Sequence, residues 1–145
     1  MSWLFNGLPI EEDKIPKGAV GFLYKITNTE TNQWYLGRKL LTKSKQKVVN
    51  GKKKKTRVES DWKDYWSSND TLKEEAAIAP QKFKREILLF VTTMGAMAYA
   101  EEFLLYKSGA LFDPKCLNGN IRAKIMRNWF GKTPNLHKEL DAVKL

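Results

Sequence analysis

The sequence predicts a mixed α/β fold of the α+β kind, in which a small three-stranded antiparallel sheet is flanked by helices. Two segments, 21–27 and 33–41, are rich in aromatic and β-branched residues, and the polar stretch 28–32 between them is typical of a turn. A third strand is predicted at 83–91, where apolar residues dominate, and a helix at 93–107. With 145 residues, the chain can form one domain with a modest core.

The two ends of the chain differ in character from the middle. Residues 1–19 combine apolar side chains such as Trp3 with an acidic stretch, and we predict an N-terminal arm that packs on the domain. The domain itself is predicted to comprise residues 20–122. Residues 123–145 are predicted to form a short basic helical extension, with a helix over 122–129.

The helices are predicted from capping residues and apolar spacing. Asn69 or Asp70 can cap a helix over 71–79, because both side chains accept hydrogen bonds from the first turn of a helix. In the helix predicted over 93–107 the apolar residues can fill one broad face, and Gly109 suits its end. Both helices are therefore expected to flank the sheet.

Positive charge is concentrated in one part of the sequence. The chain has 26 Lys and Arg residues against 16 Asp and Glu, a net charge of +10, and no acidic residue between Glu30 and Glu59. Residues 42–60 also lose their periodicity, and Asn50-Gly51 within them predicts either a flexible basic loop or the tip of an extended hairpin. Such a local cluster of cations favours a polyanionic partner such as nucleic acid.

Cysteine, histidine and hydropathy exclude several classes of protein. A single cysteine, Cys116, cannot form a disulfide within the chain, and with a single histidine, His137, there are too few soft ligands for a zinc site. The first residues lack a signal-peptide pattern, and nowhere are there 18 consecutive apolar residues. We therefore expect a cytoplasmic protein with no membrane partner.

Five short motifs follow one another in the order of a known family. They are Tyr24-Lys25-Ile26-Thr27-Asn28, Trp34-Tyr35-Leu36-Gly37, Asp61-Trp62-Lys63-Asp64-Tyr65-Trp66-Ser67-Ser68, Phe83-Lys84-Arg85-Glu86-Ile87-Leu88, and Ala100-Glu101 ahead of Cys116-Leu117-Asn118. Together they resemble the GIY-YIG endonuclease superfamily, and within it the bacteriophage branch of SegE-like homing endonucleases. The resemblance covers roughly residues 20–122.

The resemblance implies a nuclease that hydrolyses DNA phosphodiester bonds with one divalent ion, Mg²⁺ or Mn²⁺. Glu101 would hold the ion, which needs few protein ligands because magnesium keeps much of its hydration shell. Tyr24 would act as the general base or orient the water, with Tyr35 beside it. Since a phenol is a poor base at its ordinary pKa of about 10, a nearby cation or metal-bound hydroxide would have to lower that pKa. Asn118 would orient the active-site loop or the scissile phosphate.

The chain departs from the family pattern at two positions. The glycine of the first signature falls on Phe22, so that run reads Phe-Leu-Tyr, and the usual catalytic arginine falls on Lys45. In the phage branch a cation directly follows the second signature, which makes Arg38 the first candidate for the catalytic cation and Lys39 the second. Because side chains alternate along a strand, only one of these two can face the site.

The resemblance and the charge together predict where DNA is contacted. The candidate residues are Lys52, Lys53, Lys54, Lys55, Arg57 and Arg122. About 25 residues follow Asn120, so we expect a free-standing catalytic domain without a large recognition domain. Sequence specificity would then come from the basic loop, the C-terminal helix, a homo-oligomer or a partner protein. A phage-encoded protein would act in the host cytoplasm.

Other interpretations of the same residues remain open. Tyr24 and Tyr35 are also consistent with half-buried strand tyrosines of no catalytic role. Glu101 and Glu102 point about 100° apart on a helix, so only one of them can face the sheet. The alternatives to a nuclease are a non-catalytic nucleic-acid-binding protein and a protein-interaction module that keeps the fold.

Overall fold

The structure is a computed structural model that describes residues 2–121 and 125–145. The strands are β1 Leu4–Phe5, β2 Leu8–Pro9, β3 Gly21–Asn28, β4 Trp34–Leu40, β5 Thr42–Val49, β6 Lys52–Glu59 and β7 Phe83–Val91, and the α-helices are α1 Asp70–Ile78, α2 Met94–Lys107 and α3 Leu136–Ala142. The main sheet has five strands in the order β2-β1-β7-β3-β4, and β5 and β6 form a separate two-stranded sheet. The predicted α+β class is therefore confirmed.

The prediction of a three-stranded sheet is wrong, because the N-terminal segment adds two strands. β1 pairs in parallel with β7, placing Leu4 opposite Glu86, and turns back into β2 through Asn6 and Gly7, which both have positive φ angles. Strands of two residues are too short to show an alternating pattern, so periodicity could not predict them. Trp3 secures the segment: it is 2% exposed, and its indole Nε1 donates a hydrogen bond to the Trp62 carbonyl oxygen at 2.7 Å.

The hairpin of β3 and β4 lies at the predicted place. Asn28 stabilises its turn, because its side-chain oxygen accepts hydrogen bonds from the backbone N–H groups of Glu30 and Thr31 at 2.9 and 3.2 Å. Asn32 completes the turn with a φ angle of 62°. The predicted third strand, β7, pairs with the other side of β3. β3 is therefore the central strand of this antiparallel part of the sheet.

Side chains on the two faces of the sheet enter two different cores. One face, with Leu23 and Leu36, packs against α2 and α3. The other face, with Phe22 and Tyr24, packs into an aromatic layer that includes Trp62. Because side chains alternate along a strand, neighbouring residues of β3 and β4 belong to opposite layers. This alternation decides which candidate residues can meet.

The helix caps agree with the sequence, whereas the predicted C-terminal helix does not. Asn69 is the cap of α1, since its Oδ1 atom accepts a hydrogen bond from the Leu72 N–H at 3.0 Å. Of the helix predicted over 122–129, residues 122–124 lie outside the described residues. The rest is wrong, because Arg127–Phe130 is a short 3₁₀ turn. Aromatic packing holds this turn: Trp129 lies against Gly95 of α2, and Phe130 packs edge-on against Tyr99, with 5.1 Å between ring centroids.

The basic segment after β4 is a long hairpin rather than an irregular loop. β5 and β6 pair over their whole length, from Thr42 opposite Glu59 to Val49 opposite Lys52. Asn50 and Gly51 form its turn with φ angles of 53° and 73°, as the Asn-Gly pair predicts. Nearly all of its side chains are exposed, so it projects from the domain. Within the residues that the structure describes, no helix has the length and apolar character needed to cross a bilayer.

Candidate active site

Tyr24 and Tyr35 lie on adjacent strands and face the same layer, with their ring centroids 6.3 Å apart. In the register of β3 and β4, Tyr24 is opposite Gly37 and Ile26 is opposite Tyr35. A Cβ atom at position 37 would lie 2.5 Å from the Tyr24 hydroxyl oxygen. The glycine of the second signature therefore leaves room for the Tyr24 hydroxyl to lie across β4.

The Tyr24 phenol is held neutral by its surroundings. The side chain is 1% exposed and contacts Trp3 and Tyr65, whose ring centroids are 5.4 and 5.9 Å away. Burial raises the pKa of Tyr24 far above its ordinary value, and nearby Tyr65, Tyr35 and Glu101 raise it further. The predicted lowering of this pKa is thus wrong for the protein alone. A neutral phenol can orient a water molecule, but it cannot remove its proton.

The Tyr35 hydroxyl is fixed by a serine that the sequence did not single out. Its oxygen lies 2.9 Å from Ser68 Oγ, in a hydrogen bond that either group can donate. Burial raises the pKa of Tyr35, whereas the hydrogen bond with Ser68 opposes that rise. Ser68 follows Ser67, a fully buried residue with a φ angle of 95° whose Oγ accepts a hydrogen bond from the Asn69 N–H at 3.0 Å. A strained turn before α1 therefore positions Ser68.

Glu101, rather than Glu102, pairs with Arg38, and it lies close enough to the tyrosines for its charge to act on both of them. Its Oε2 atom lies 3.5 Å from Nε of Arg38, and the side chains are 28% and 45% exposed respectively. Burial raises the pKa of the Glu101 carboxyl; Arg38 lowers it and Glu102 raises it. The charge of Glu101 also raises the pKa of both tyrosines. The structure thus brings Tyr24, Tyr35, Arg38 and Glu101 into one site.

The three candidate cations occupy different places. Arg38 lies beside Glu101, as described above. The Lys39 ammonium lies on the other face of β4, the face that also carries Tyr35; it forms an ion pair with Asp61 at 2.6 Å and lies 4.1 Å from the ring centroid of Tyr65. The Lys39 side chain is only 18% exposed, and the hydrogen bond from Lys39 is the main cause of a lowered pKa at Asp61. Lys45 lies on the exposed hairpin strand β5. Arg38 is therefore the cation best placed to reach a phosphate beside Glu101.

Asn118 is bound to the backbone of β4 through both ends of its amide. Its Oδ1 atom accepts a hydrogen bond from the Leu36 N–H at 3.0 Å, and its Nδ2 group donates one to the Leu36 carbonyl oxygen at 2.8 Å. The preceding residues continue the contact, since the Leu117 N–H donates to the Trp34 carbonyl oxygen at 2.8 Å. Of the two predicted roles, this geometry favours orientation of the loop at the edge of the site over contact with the phosphate.

A buried arginine supports the aromatic side of the site. Arg85 is 3% exposed, and its guanidinium carbon lies 4.7 and 4.2 Å from the ring centroids of Trp3 and Trp66. It donates hydrogen bonds to the carbonyl oxygens of Lys63 and Tyr65 at 3.2 and 2.8 Å. Burial lowers the pKa of Arg85 to about 10, which leaves it charged at neutral pH. The sequence contained one sign of this role: alternation along β7 places the charged Arg85 on the face that is predicted to be buried.

The residues of the site fit a divalent ion with few protein ligands. Among residues 2–121 and 125–145, no group of three or more His, Cys, Asp or Glu side chains could hold a metal. Glu101 offers one partly buried carboxylate beside the tyrosines. Magnesium commonly binds through one or two carboxylates together with water and substrate phosphate oxygens. One carboxylate at this position is therefore compatible with an ion whose other ligands are water and phosphate oxygens.

The residues predicted to contact DNA are not at the tyrosines. Lys52, Lys53, Lys54, Lys55 and Arg57 all lie on β6, where their side chains are exposed. The guanidinium group of Arg57 donates hydrogen bonds to the side chains of Thr42 and Ser44 on the paired strand β5. Arg122 lies outside the described residues. The hairpin therefore presents its cations beyond the site, next to the end of β4.

Most of the chain is a GIY-YIG endonuclease domain. Residues 3–121 match the family model described as "Putative endonuclease segE, GIY-YIG domain". The match spans most of the chain, and the protein belongs to this SegE family of GIY-YIG endonuclease domains. It includes Trp3 and the first two strands as well as the tyrosine signatures. No curated protein and no solved structure matches the chain.

Proposed function

We propose that the protein is a metal-dependent DNA endonuclease that hydrolyses phosphodiester bonds, with Mg²⁺ or Mn²⁺ held by Glu101. The observation that carries the proposal is the meeting of four side chains from three elements: Tyr24 on β3, Tyr35 and Arg38 on β4, and Glu101 on α2. Hydrolysis requires an oriented water, stabilised charge on the phosphate and relief of charge at the leaving oxygen. Together, these side chains and the ion held by Glu101 can meet the three requirements.

The tyrosines suit the water and the phosphate oxygens. A neutral phenol can accept a hydrogen bond from the attacking water and donate one to a phosphoryl oxygen. Because the raised pKa keeps Tyr24 protonated, the proton released by the water must leave to a substrate oxygen or to solvent. Tyr35, fixed by Ser68, offers a second hydroxyl on the same face of the sheet.

Arg38 and Glu101 suit the charges of the reaction. The Arg38 guanidinium is partly exposed and can clamp a phosphate with two parallel hydrogen bonds. When bound, the divalent ion would stabilise negative charge on the phosphate and on the leaving oxygen. Burial makes the free carboxylate of Glu101 unfavourable, and Arg38 compensates only in part. A cation at Glu101 would remove that penalty, so protons and metal should compete for this group.

DNA is the substrate that the charge of the chain favours. The net charge of +10 and the exposed basic hairpin suit a polyanion. We also propose, from the family, a phage-encoded protein that acts in the host cytoplasm. Cutting both strands would require either two active sites, which a homo-oligomer would supply, or sequential nicks by one site. A partner protein could add sequence specificity.

Incubation of the purified protein with supercoiled plasmid tests the proposal. We expect nicked or linear DNA with magnesium and none with a chelator, and loss of cutting in both Glu101→Gln and Arg38→Gln. Binding of DNA by the two variants, measured in chelator, shows whether they still fold and engage the substrate. Wild-type protein that binds DNA but never cuts it, with either Mg²⁺ or Mn²⁺, would contradict the proposal.

That outcome would instead support a non-catalytic DNA-binding protein. Two observations favour this alternative: burial raises the pKa of Tyr24 instead of lowering it, and Phe22 replaces the glycine of the first signature. Phe22 is fully buried against Trp3 and Trp62, which shows that the position has become part of the aromatic layer.

A further inference from the structure

The pairing of β5 and β6 divides the cations of the hairpin between two faces. Residues that lie opposite each other on paired strands share a face, and every second residue along a strand returns to it. From the register, one face carries Lys43, Lys45, Lys47, Lys52 and Lys54. We call it the lysine face. The opposite face carries Lys53, Lys55, Arg57 and Glu59.

The two faces differ in how far their charge is already balanced. On the opposite face, Arg57 donates hydrogen bonds to the Thr42 carbonyl oxygen at 2.8 Å and to the hydroxyls of Thr42 and Ser44, so its guanidinium is engaged within the hairpin. That face also carries Glu59. The lysine face has five lysines and no acidic residue. With five cations against three cations and one anion, it is the more positive face.

A pair of like charges lies near the tip of the lysine face. Lys47 is directly opposite Lys54 in the register. Like charges directly opposite on paired strands destabilise a hairpin, because they repel each other at short range. An anion bound between the two ammonium groups would turn this repulsion into attraction. The pair is thus a reason to expect an anionic ligand on this face.

The lysine face also connects with the active site. Lys43, at its base, is among the charges that lower the pKa of Asp61. Asp61 forms the ion pair with Lys39, and Lys39 lies over the ring of Tyr65, which contacts Tyr24. The base of the lysine face is therefore near the ion pair that borders the aromatic layer of Tyr24.

We infer that the sugar-phosphate backbone of DNA lies along the lysine face of the hairpin, while the face with Lys53 and Lys55 points away from it. The inference rests on the proposed function and assigns the substrate to one of two surfaces. Side chains two residues apart on one strand are about 6.8 Å apart. At that spacing, successive lysines can each contact a different phosphate of one DNA strand. Strands of eight residues, about 27 Å long, provide several such contacts.

Two charge-matched double variants test the inference. Lys47→Gln with Lys54→Gln removes two cations from the lysine face, and Lys53→Gln with Lys55→Gln removes two from the other. Both pairs lie near the tip and change the net charge equally, so a general field effect acts on both alike. Affinity for a DNA duplex is measured over a range of salt concentrations in chelator, where no cleavage can intervene.

We expect the lysine-face variant to lower the slope of log affinity against log salt by about 1.8, since each lost phosphate contact removes about 0.9. The variant with Lys53→Gln and Lys55→Gln should change this slope by less than half as much. Thermal unfolding should show no loss of stability in the lysine-face variant, because it removes the repulsion between positions 47 and 54.

Equal slopes in the two variants, or a larger change in the matched variant, would overturn the inference. Both results would leave the nuclease proposal intact if plasmid is still cut. Conversely, a protein that binds DNA through the lysine face but never cuts it would overturn the proposed function alone.

Discussion

Replacing Glu101 by glutamine should abolish cleavage without weakening the fold. The structural loss is small: the ion pair with Arg38 is 3.5 Å long and partly exposed, and such pairs contribute about 0 to 1 kcal/mol. The catalytic loss is large, because glutamine keeps the shape but removes the charge of the proposed metal ligand. Removing one preorganised charge-stabilising group typically lowers a rate by about 10²- to 10³-fold, and a lost metal ligand should cost at least about 10³-fold.

The raised pKa of Glu101 gives this variant a second signature. Between the ordinary pKa of a glutamate and the raised value, the folded protein binds a proton that the unfolded chain has released. The free energy of unfolding must therefore fall as pH rises through that window. Glu101→Gln lacks this fall, so its stability relative to wild type should improve above the window. Chemical denaturation at several pH values in chelator measures the difference.

Single-turnover cleavage of supercoiled plasmid in saturating magnesium measures the rate. Glu102→Gln is the matched control, since the neighbouring residue carries the same charge but points about 100° away on α2. We expect less than a threefold change for that control. The reasoning would be refuted if Glu101→Gln kept more than a tenth of the wild-type rate, or if Glu102→Gln lost as much.

Three further variants test the site, each with its own measurement. Tyr24→Phe should lower the single-turnover rate by about 10²-fold. The shape of the pH–rate profile between pH 7 and 9 should stay unchanged, because this phenol does not ionise there. If the variant instead loses the rise in rate at alkaline pH, Tyr24 is the base. Gly37→Ala places a Cβ atom 2.5 Å from the Tyr24 hydroxyl oxygen. The cleavage rate should therefore fall at least as much as in Tyr24→Phe, and the free energy of unfolding should fall by about 1 to 3 kcal/mol. A fully active variant would mean that the hydroxyl can move aside. Asn118→Ala removes both hydrogen bonds to Leu36 and should lower the free energy of unfolding by about 1 to 3 kcal/mol in urea denaturation, with unchanged stability speaking against a positioning role.

The sequence predicted the long elements because they carry repeating patterns. β3, β4, β7 and α2 lie close to the expected ranges, since seven or more residues of alternating or helical apolar spacing outweigh local exceptions. The two-residue strands β1 and β2 have no such pattern. They form because Trp3 enters the aromatic layer, which is a tertiary contact that a local pattern cannot show.

The site could be predicted only in part for the same reason. The spacing of two signatures was enough to pair Tyr24 and Tyr35 across a hairpin. The supports of that pair are dispersed along the chain: Ser68 follows a strained turn, and Tyr65 is held by the buried Arg85. This packing raises the pKa of Tyr24, whereas a base would need the pKa lowered by a cation or a metal-bound hydroxide beside the phenol.

The two-layer architecture explains why Gly37 is needed where the two halves of the site meet. Alternation sends Tyr24 and Tyr35 into the aromatic layer, whereas Arg38 meets Glu101 from the helical layer on the other face of the sheet. Groups on opposite faces of a sheet can serve one phosphate only at an edge, and β4 is the edge strand of the main sheet. The hydroxyl of Tyr24, which starts one strand further in, must cross β4 to reach that edge. It crosses at Gly37, where the absence of a side chain opens the path and the next residue is Arg38.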